Sequence, residues 1–299
     1  MPMPTGITGI DHVVILAQSL EAARKTYQRL GFTLTPLGRH SKLDTVNHCV
    51  MLQEANYFEL LSVAKPQPLN ADFAAILEER EGLAALALKT EDARASVRKL
   101  EAAGLGPKPA VDFGRPVELP PGRALGGGNP HPLPTSPAVR KDARFTVVHL
   151  DGAMTPGGRA FLCQHHTRDL VWLPEYLEHA NGALGLAQIT LVAADPEAAG
   201  RAYGAVFGAA AKRIPGGCEV ATGNAPIRVL SAGGFAEQYP GESGFARHAP
   251  VFAVLSLKVR SAAATARLLQ TAGVRFDAIQ GGVRVPSSAA TGTVLEFLG

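Results

Sequence analysis

The chain has 299 residues, 46% hydrophobic and 18% charged, enough apolar material for one very large core or two ordinary ones and too much for dominant disorder. Its 29 Lys and Arg against 26 Asp and Glu leave a formal charge of +3, without the basic footprint of a nucleic-acid partner. Cys49, Cys163 and Cys218 are an odd, widely spaced set with no CxxC pair, which excludes a disulfide framework or zinc knuckle and points to a reducing interior.

No stretch stays apolar for the ~20 residues of a membrane span, and the N-terminus lacks a basic run followed by an apolar one. A cytoplasmic protein without a membrane partner is expected. In chain order, residues 9–17 (GIDHVVILA) read as a buried strand, and residues 19–31 as an amphipathic helix. Leu20, Ala23, Tyr27 and Leu30 recur at helical spacing, Ser19 is the N-cap and Gly31 the stop. Residues 32–35 then resume an extended run, followed by strands at 47–52 and 57–62.

The pattern recurs three times. Strands at 82–90, 185–193 and 251–259 each precede a helix, which ends at Gly104, Gly208 and Gly273 in turn. Further strands follow at 145–150 and 159–164, at 217–221 and 226–231, and at 282–286 and 292–297. The unit is βαβββ, four times. No GxGxxG or GxxxxGK[ST] opens any helix, so a nucleotide enzyme is disfavoured, and the Cys and Ser contexts do not support nucleophilic catalysis.

Residues 106–143 form an insertion in the second unit, with nine of the 22 prolines and six glycines, and read as an aperiodic loop that could fold over a cavity as a lid. Arg115, Arg123, Arg140 and Arg144 lie in or beside it as anchors for a substrate carboxylate or carbonyl.

Repeated βαβββ units, with DHVVIL opening the first and YFELL closing it, resemble the vicinal oxygen chelate superfamily, which includes glyoxalase I, extradiol dioxygenases and fosfomycin-resistance proteins. Within it the chain is similar to bacterial glyoxalase-like domain proteins at GRHSKLDTVN (38–47), FLCQH (161–165), LVWLPE (170–175) and HANG (179–182). The resemblance implies an α+β fold in which four βαβββ modules form two glyoxalase-like half-barrel domains, 1–178 and a degenerate 179–299. It also implies a divalent metal held by the first and last strands of paired modules, which chelates a small oxygenated substrate.

On that resemblance His12 and Glu59 are expected metal ligands, with Glu59 also catalytic and a further ligand from Gln164 or His165. Strand alternation leaves the last choice open, because Gln164 and His166 share one side and His165 the other. Zn, Fe, Mn and Ni all suit such a set. Aligned with His12, the later modules carry Ala85, Gln188 and Val254, so the first barrel has at most three protein ligands. The second, with Glu296 as its last-strand carboxylate, is expected to be metal-free. His40, Asn47, Arg144 and Trp172 are expected substrate contacts. The expected function is a metal-dependent lyase, isomerase or dioxygenase in the first barrel; the alternative is a metal-free protein that sequesters a small molecule. Such modules pair readily, so a homodimer is also on the list of expected partners.

Overall fold

The computed structural model describes residues 5–40, 42–119 and 139–299. One sheet holds β1 (Ile7–Leu16), β2 (Gly38–His40), β3 (Thr45–Met51), β4 (Tyr57–Val63), β5 (Gly82–Thr90), β6 (Val111–Leu119), β7 (Val139–His149) and β8 (Arg159–His165). Its order is β2-β3-β4-β1-β5-β8-β7-β6, two βαβββ modules placed back to back. The second sheet repeats the design with β9 (Ala183–Val192), β10 (Lys212–Ile214), β11 (Gly217–Val220), β12 (Ile227–Leu230), β13 (Val251–Val259), β14 (Asp277–Ile279), β15 (Gly282–Val285) and β16 (Val294–Leu298), ordered β10-β11-β12-β9-β13-β16-β15-β14. The expected α+β architecture of four modules in two half-barrels is the observed one.

In each sheet the two first strands meet antiparallel, β1 on β5 and β9 on β13, and each runs parallel to its module's last strand. After each first strand comes a helix: α1 (Leu20–Arg29), α3 (Ala93–Ala102), α4 (Pro196–Phe207) and α6 (Ala262–Thr271). All four are capped alike, Ser19, Asp92, Asp195 and Ser261 accepting from the backbone N–H three residues on. Two further helices, α2 (Ala71–Glu79) and α5 (Ala232–Gln238), sit between the modules of each half.

One face of each sheet packs with these helices into a single continuous core. Tyr27 of α1 and its C-cap Leu30, Tyr203 and Phe207 of α4, and Ile10, Leu86, Ile189 and Leu255 of the central strands all belong to it. Hydrogen bonds stitch the two halves together: the Tyr27 hydroxyl donates to the Ala290 carbonyl and the Tyr203 hydroxyl to the Pro156 carbonyl.

The other faces differ. On the second sheet, Phe235 and Tyr239 of the α5 segment and Phe245 beyond it pack onto Val192, Val254 and Val294. There Glu296 is ion-paired with Arg284, whose guanidinium also lies 4.1 Å over the Tyr239 ring, and accepts from Ser256. The same face of the first sheet borders a cavity.

Two sequence expectations change. The extended run at 32–35 is no strand; Thr33 N–H donates to His179 Nδ1 and Thr35 N–H to the Cys49 carbonyl, and the sheet resumes only at Gly38. The insertion at 106–143 is not simply a loop. Its flanks enter the β6–β7 ladder, paired from Val111↔Val147 to Leu119↔Val139, and Pro116 is tolerated because β6 is an edge strand. The centre of the expected lid, including Arg123, lies outside the described residues.

Candidate active site

Side chains alternate along a strand, so one parity of each strand faces the cavity of the first sheet. His12 and Val14 come from β1, Asn47 and Cys49 from β3, and Tyr57 and Glu59 from β4. Across the sheet, Arg159, Phe161 and Cys163 come from β8, Phe145 and His149 from β7, and Phe113 and Arg115 from β6. Leu69, in the turn before α2, and Phe73, in its first turn, close one side. The space is about 330 Å3, within the range of small-molecule sites.

His12 and Glu59 therefore share a face. His12 pairs with Tyr57 and Val14 with Glu59 on parallel strands, so the two site residues are diagonal neighbours, roughly 8 Å apart at Cα by strand spacing. Both side chains are buried.

A bulge brings in a third group. Ile10 pairs with Leu88 and His12 with Ala87, which leaves Asp11 as the extra residue on β1. Strict alternation would send Asp11 to the opposite face from His12. Instead its Oδ1 lies 2.8 Å from His12 Nδ1 and 3.0 Å from His165 Nε2.

Burial alone would raise the Asp11 carboxyl, but the hydrogen bonds from His12 and His165, with their charges, hold it well below the usual carboxylate range. A carboxylate can only accept, so both contacting ring nitrogens carry the hydrogen. In the neutral ring this leaves Nε2 of His12, a cavity-lining residue, as the nitrogen that carries the lone pair. The ring is held between Tyr57, stacked at 4.2 Å, and Phe161, edge-on at 5.6 Å.

Glu59 is positioned from the other side. Asn47 Nδ2 donates to Glu59 Oε1, and His40 Nε2 lies 3.8 Å from the same oxygen. The other nitrogen of His40 contacts Thr45 Oγ1 at 2.9 Å. Burial lowers the His40 pKa against the opposing charge of Glu59, while Arg115 and His12 push in the same direction as burial. Burial, aided by Glu59, raises the Cys49 thiol to about 12; burial with Asp11 and Glu59 raises that of Cys163 well above its ordinary value. Both thiols are therefore protonated in the metal-free protein.

Of the expected site residues, His12, His40, Asn47 and Glu59 meet at this cavity. His165 lies on the same side of the sheet, against Asp11, Phe145 and Trp172.

Three expectations change. Gln164 has the opposite parity and points to the helix side, where it accepts from Ala93 N–H and donates to the Glu91 carbonyl, holding the start of α3. Arg144 is exposed and lines an open groove of about 670 Å3 behind β6 and β7, with Arg94, Asp112 and His166. Trp172 is outside the cavity lining; it packs edge-on to Tyr57 and His165 under the Arg168 guanidinium. The register also moves one alignment: Glu59 lies opposite Val14, and the matching pair in the second module is Ala87↔Phe161, so Phe161 rather than Gln164 occupies the last-strand slot.

Asp11 and Cys163 went unassigned as ligands in the sequence. Together with His165 they form the one group of three His, Cys, Asp or Glu residues, among those described, whose ligand atoms lie within 4.8 Å of one another. Asp11 Oδ2 and His165 Nδ1 are buried and have no hydrogen-bond partner among the described residues.

Residues 10–207 match the family model of a glyoxalase-like domain. The chain belongs to the glyoxalase-like domain family. A hypothetical protein from Staphylococcus aureus superposes with a TM-score of 0.63 at 14% identity, covering 96% of this chain and 98% of that one. A mutant 4-hydroxymandelate synthase from Streptomyces coelicolor gives 0.56 at 16% identity, covering 96% and 78%. A fusion of a xylose isomerase-like TIM barrel with 4-hydroxyphenylpyruvate dioxygenase gives 0.53 at 15%, covering 92% and 40%. At these identities the likeness is one of fold. No curated protein sequence matches the chain. Among the described residues no helix is long and apolar enough to cross a membrane.

Proposed function

We propose that the cavity of the first sheet is the active site of a metal-dependent enzyme of the lyase or isomerase class, acting on a small oxygenated molecule. The observation that carries this reading is the Asp11–His12–Glu59 arrangement. A buried carboxylate holding one imidazole nitrogen while the other faces a cavity is the usual support of a metal-ligating histidine. Glu59 supplies the second donor from the neighbouring strand. At the two remaining family slots stand Ala85 and Phe161, which offer no ligand atom, so His12 and Glu59 would hold the ion from one side and leave positions open to substrate oxygens.

When bound, such an ion would polarise a substrate carbonyl and stabilise an oxyanion as it develops. The chain's own residues do the rest. Asp11 fixes the tautomer of His12, Asn47 orients the Glu59 carboxylate, and His40 Nε2 is the group placed to take or return a proton beside it. Phe113, Phe145 and Phe161 exclude water from the reacting end.

The test is metal content after reconstitution with Zn, Mn, Fe or Ni and exhaustive dialysis. We expect about one equivalent per chain in the wild type and in Cys163→Ser, and loss in His12→Ala and Glu59→Ala, with thermal melts confirming that each variant folds. Two other results would overturn the assignment. Loss in Cys163→Ser, with Glu59→Ala unaffected, would move the ion to Asp11, Cys163 and His165. No metal in any sample would favour the second reading, a metal-free binding protein, which the carbon side chains of Ala85 and Phe161 support.

A further inference from the structure

Three cations, Lys42, Arg115 and Arg159, line the cavity; Lys42 is exposed, which leaves the two arginines as the cations withdrawn from water. Arg159 is committed: it makes a two-point ion pair with Asp72, donates to the Leu69 carbonyl and lies 4.1 Å over the Phe73 ring. Glu59 is committed to Asn47. Arg115 differs. It projects from β6 into the same cavity, is half-buried, and has no carboxylate partner among the described residues. Its charge reaches His40 and Cys49, which places the guanidinium on the side of the cavity where the histidine and carboxylate stand.

A guanidinium withdrawn from water needs an anion with two acceptor oxygens, and a carboxylate matches its fork. The surfaces around it are carbon: Leu43, Leu61, Phe73, Phe113, Phe145 and Phe161. We infer that Arg115 anchors the carboxylate of an amphiphilic monocarboxylic acid on the His40 side of the cavity, with its apolar body against Phe113, Phe145 and Phe161. That the carboxylate end is the reacting end rests on the active-site reading above; the anchoring of the acid does not.

The test is calorimetric titration of the full-length protein, in EDTA, with 3-phenylpropanoate, its neutral amide and acetate. EDTA removes chelation, so carboxylate binding is read apart from metal. The acid is expected to bind at least tenfold more tightly than either the amide, which lacks the charge, or acetate, which lacks the body. Arg115→Gln should remove this preference for the acid over the amide, whereas Arg144→Gln, on the opposite face of the sheet, should preserve it.

Equal binding of acid and amide, an unchanged preference in a folded Arg115→Gln, or no binding of the acid up to millimolar concentration would each overturn the inference. If Arg115→Gln does not fold, the acid-to-amide ratio of the wild type decides alone. Metal content is read separately, so a protein that binds the acid but no metal sinks only the active-site reading, and one that holds metal at His12 but shows no acid preference sinks only this one.

Discussion

Asp11 is the residue on which the site turns, because one carboxylate oxygen serves two imidazoles. Replacing it with Asn keeps the shape but removes the charge and substitutes an amide that accepts at one atom and donates at the other. Second-carboxylate changes of this kind typically cost 10–100-fold in metal affinity. Asp11→Asn is expected to weaken metal binding by roughly that factor with the fold retained, measured by competition with a chelating dye; an unchanged affinity would mean that His12 needs no orienting partner.

The histidine and the carboxylate were legible in the sequence because each sits at a repeated strand position. Asp11 was not, since alternation assigns it to the wrong face and a bulge has no unambiguous sequence mark; the glycine two residues earlier is the only local hint. The choice among Gln164, His165 and His166 was illegible for another reason. The odd residues of β8, Arg159, Phe161, Cys163 and His165, and the even ones, Ala160, Leu162 and Gln164, are both mixed in polarity, so no face declares itself. The α3 contacts of Gln164 decide it.

At the scale of elements, β1 is held in its bulged form from outside its own sheet. Asn224, in the loop before β12, accepts from the Ile10 N–H and donates to the Ile10 carbonyl, both at 2.8 Å, one residue before the bulge. Gly9 lies under that clamp at φ +152°, where an added Cβ would come within 2.7 Å of Asn224 Oδ1.

The second half thus shapes the first. Asn224→Ala removes two hydrogen bonds and leaves buried backbone groups unpaired, an expected loss of about 2 kcal/mol in denaturant unfolding. It should also weaken metal binding, because the bulge that presents Asp11 loses its brace. A stability loss without any change in metal affinity would separate the clamp from the site. The module order was readable from the four capped helices, whereas α2 and α5 were not, their short apolar stretches lying where the repeat predicts only connection. Those same helices decide which sheet keeps a cavity: α5 and the segment after it fill the second sheet with Phe235, Tyr239 and Phe245, whereas α2 only borders the first with Phe73.

Across the whole molecule, the two halves share one core and a set of neutral polar contacts. His179 lies between them, contacting the Met51 carbonyl through Nε2 at 2.8 Å and accepting from Thr33 N–H through Nδ1 at 3.1 Å. Accepting from Thr33 requires the neutral ring with its hydrogen on Nε2, whereas donation to the Met51 carbonyl survives protonation. Burial lowers its pKa, with the Met51 carbonyl and Glu178 opposing and Arg260 assisting. His149 is lowered in the same direction, chiefly by burial.

A histidine depressed in the folded state stabilises fully above its unfolded value of 6.5, and that contribution is lost as pH falls below it. The melting temperature is therefore expected to drop between pH 6.5 and 5, with a smaller slope in His179→Gln; an identical slope would remove His179 from the account. The shared core also bears on the proposed division at 178/179. Separate expression of 1–178 and 179–299 would expose Tyr27, Tyr203 and Phe207, and neither piece is expected to show a cooperative melt alone. Two independently melting pieces would show that the halves are autonomous.

The central claim is that His12 and Glu59 address one point inside the first sheet. Crystals of the zinc-reconstituted protein measured at the zinc absorption edge test it directly. The expected result is one anomalous peak per chain within about 2.0–2.2 Å of His12 Nε2 and a Glu59 oxygen. A peak bonded instead to Cys163 and His165, or no peak in protein that still binds substrate, would contradict it.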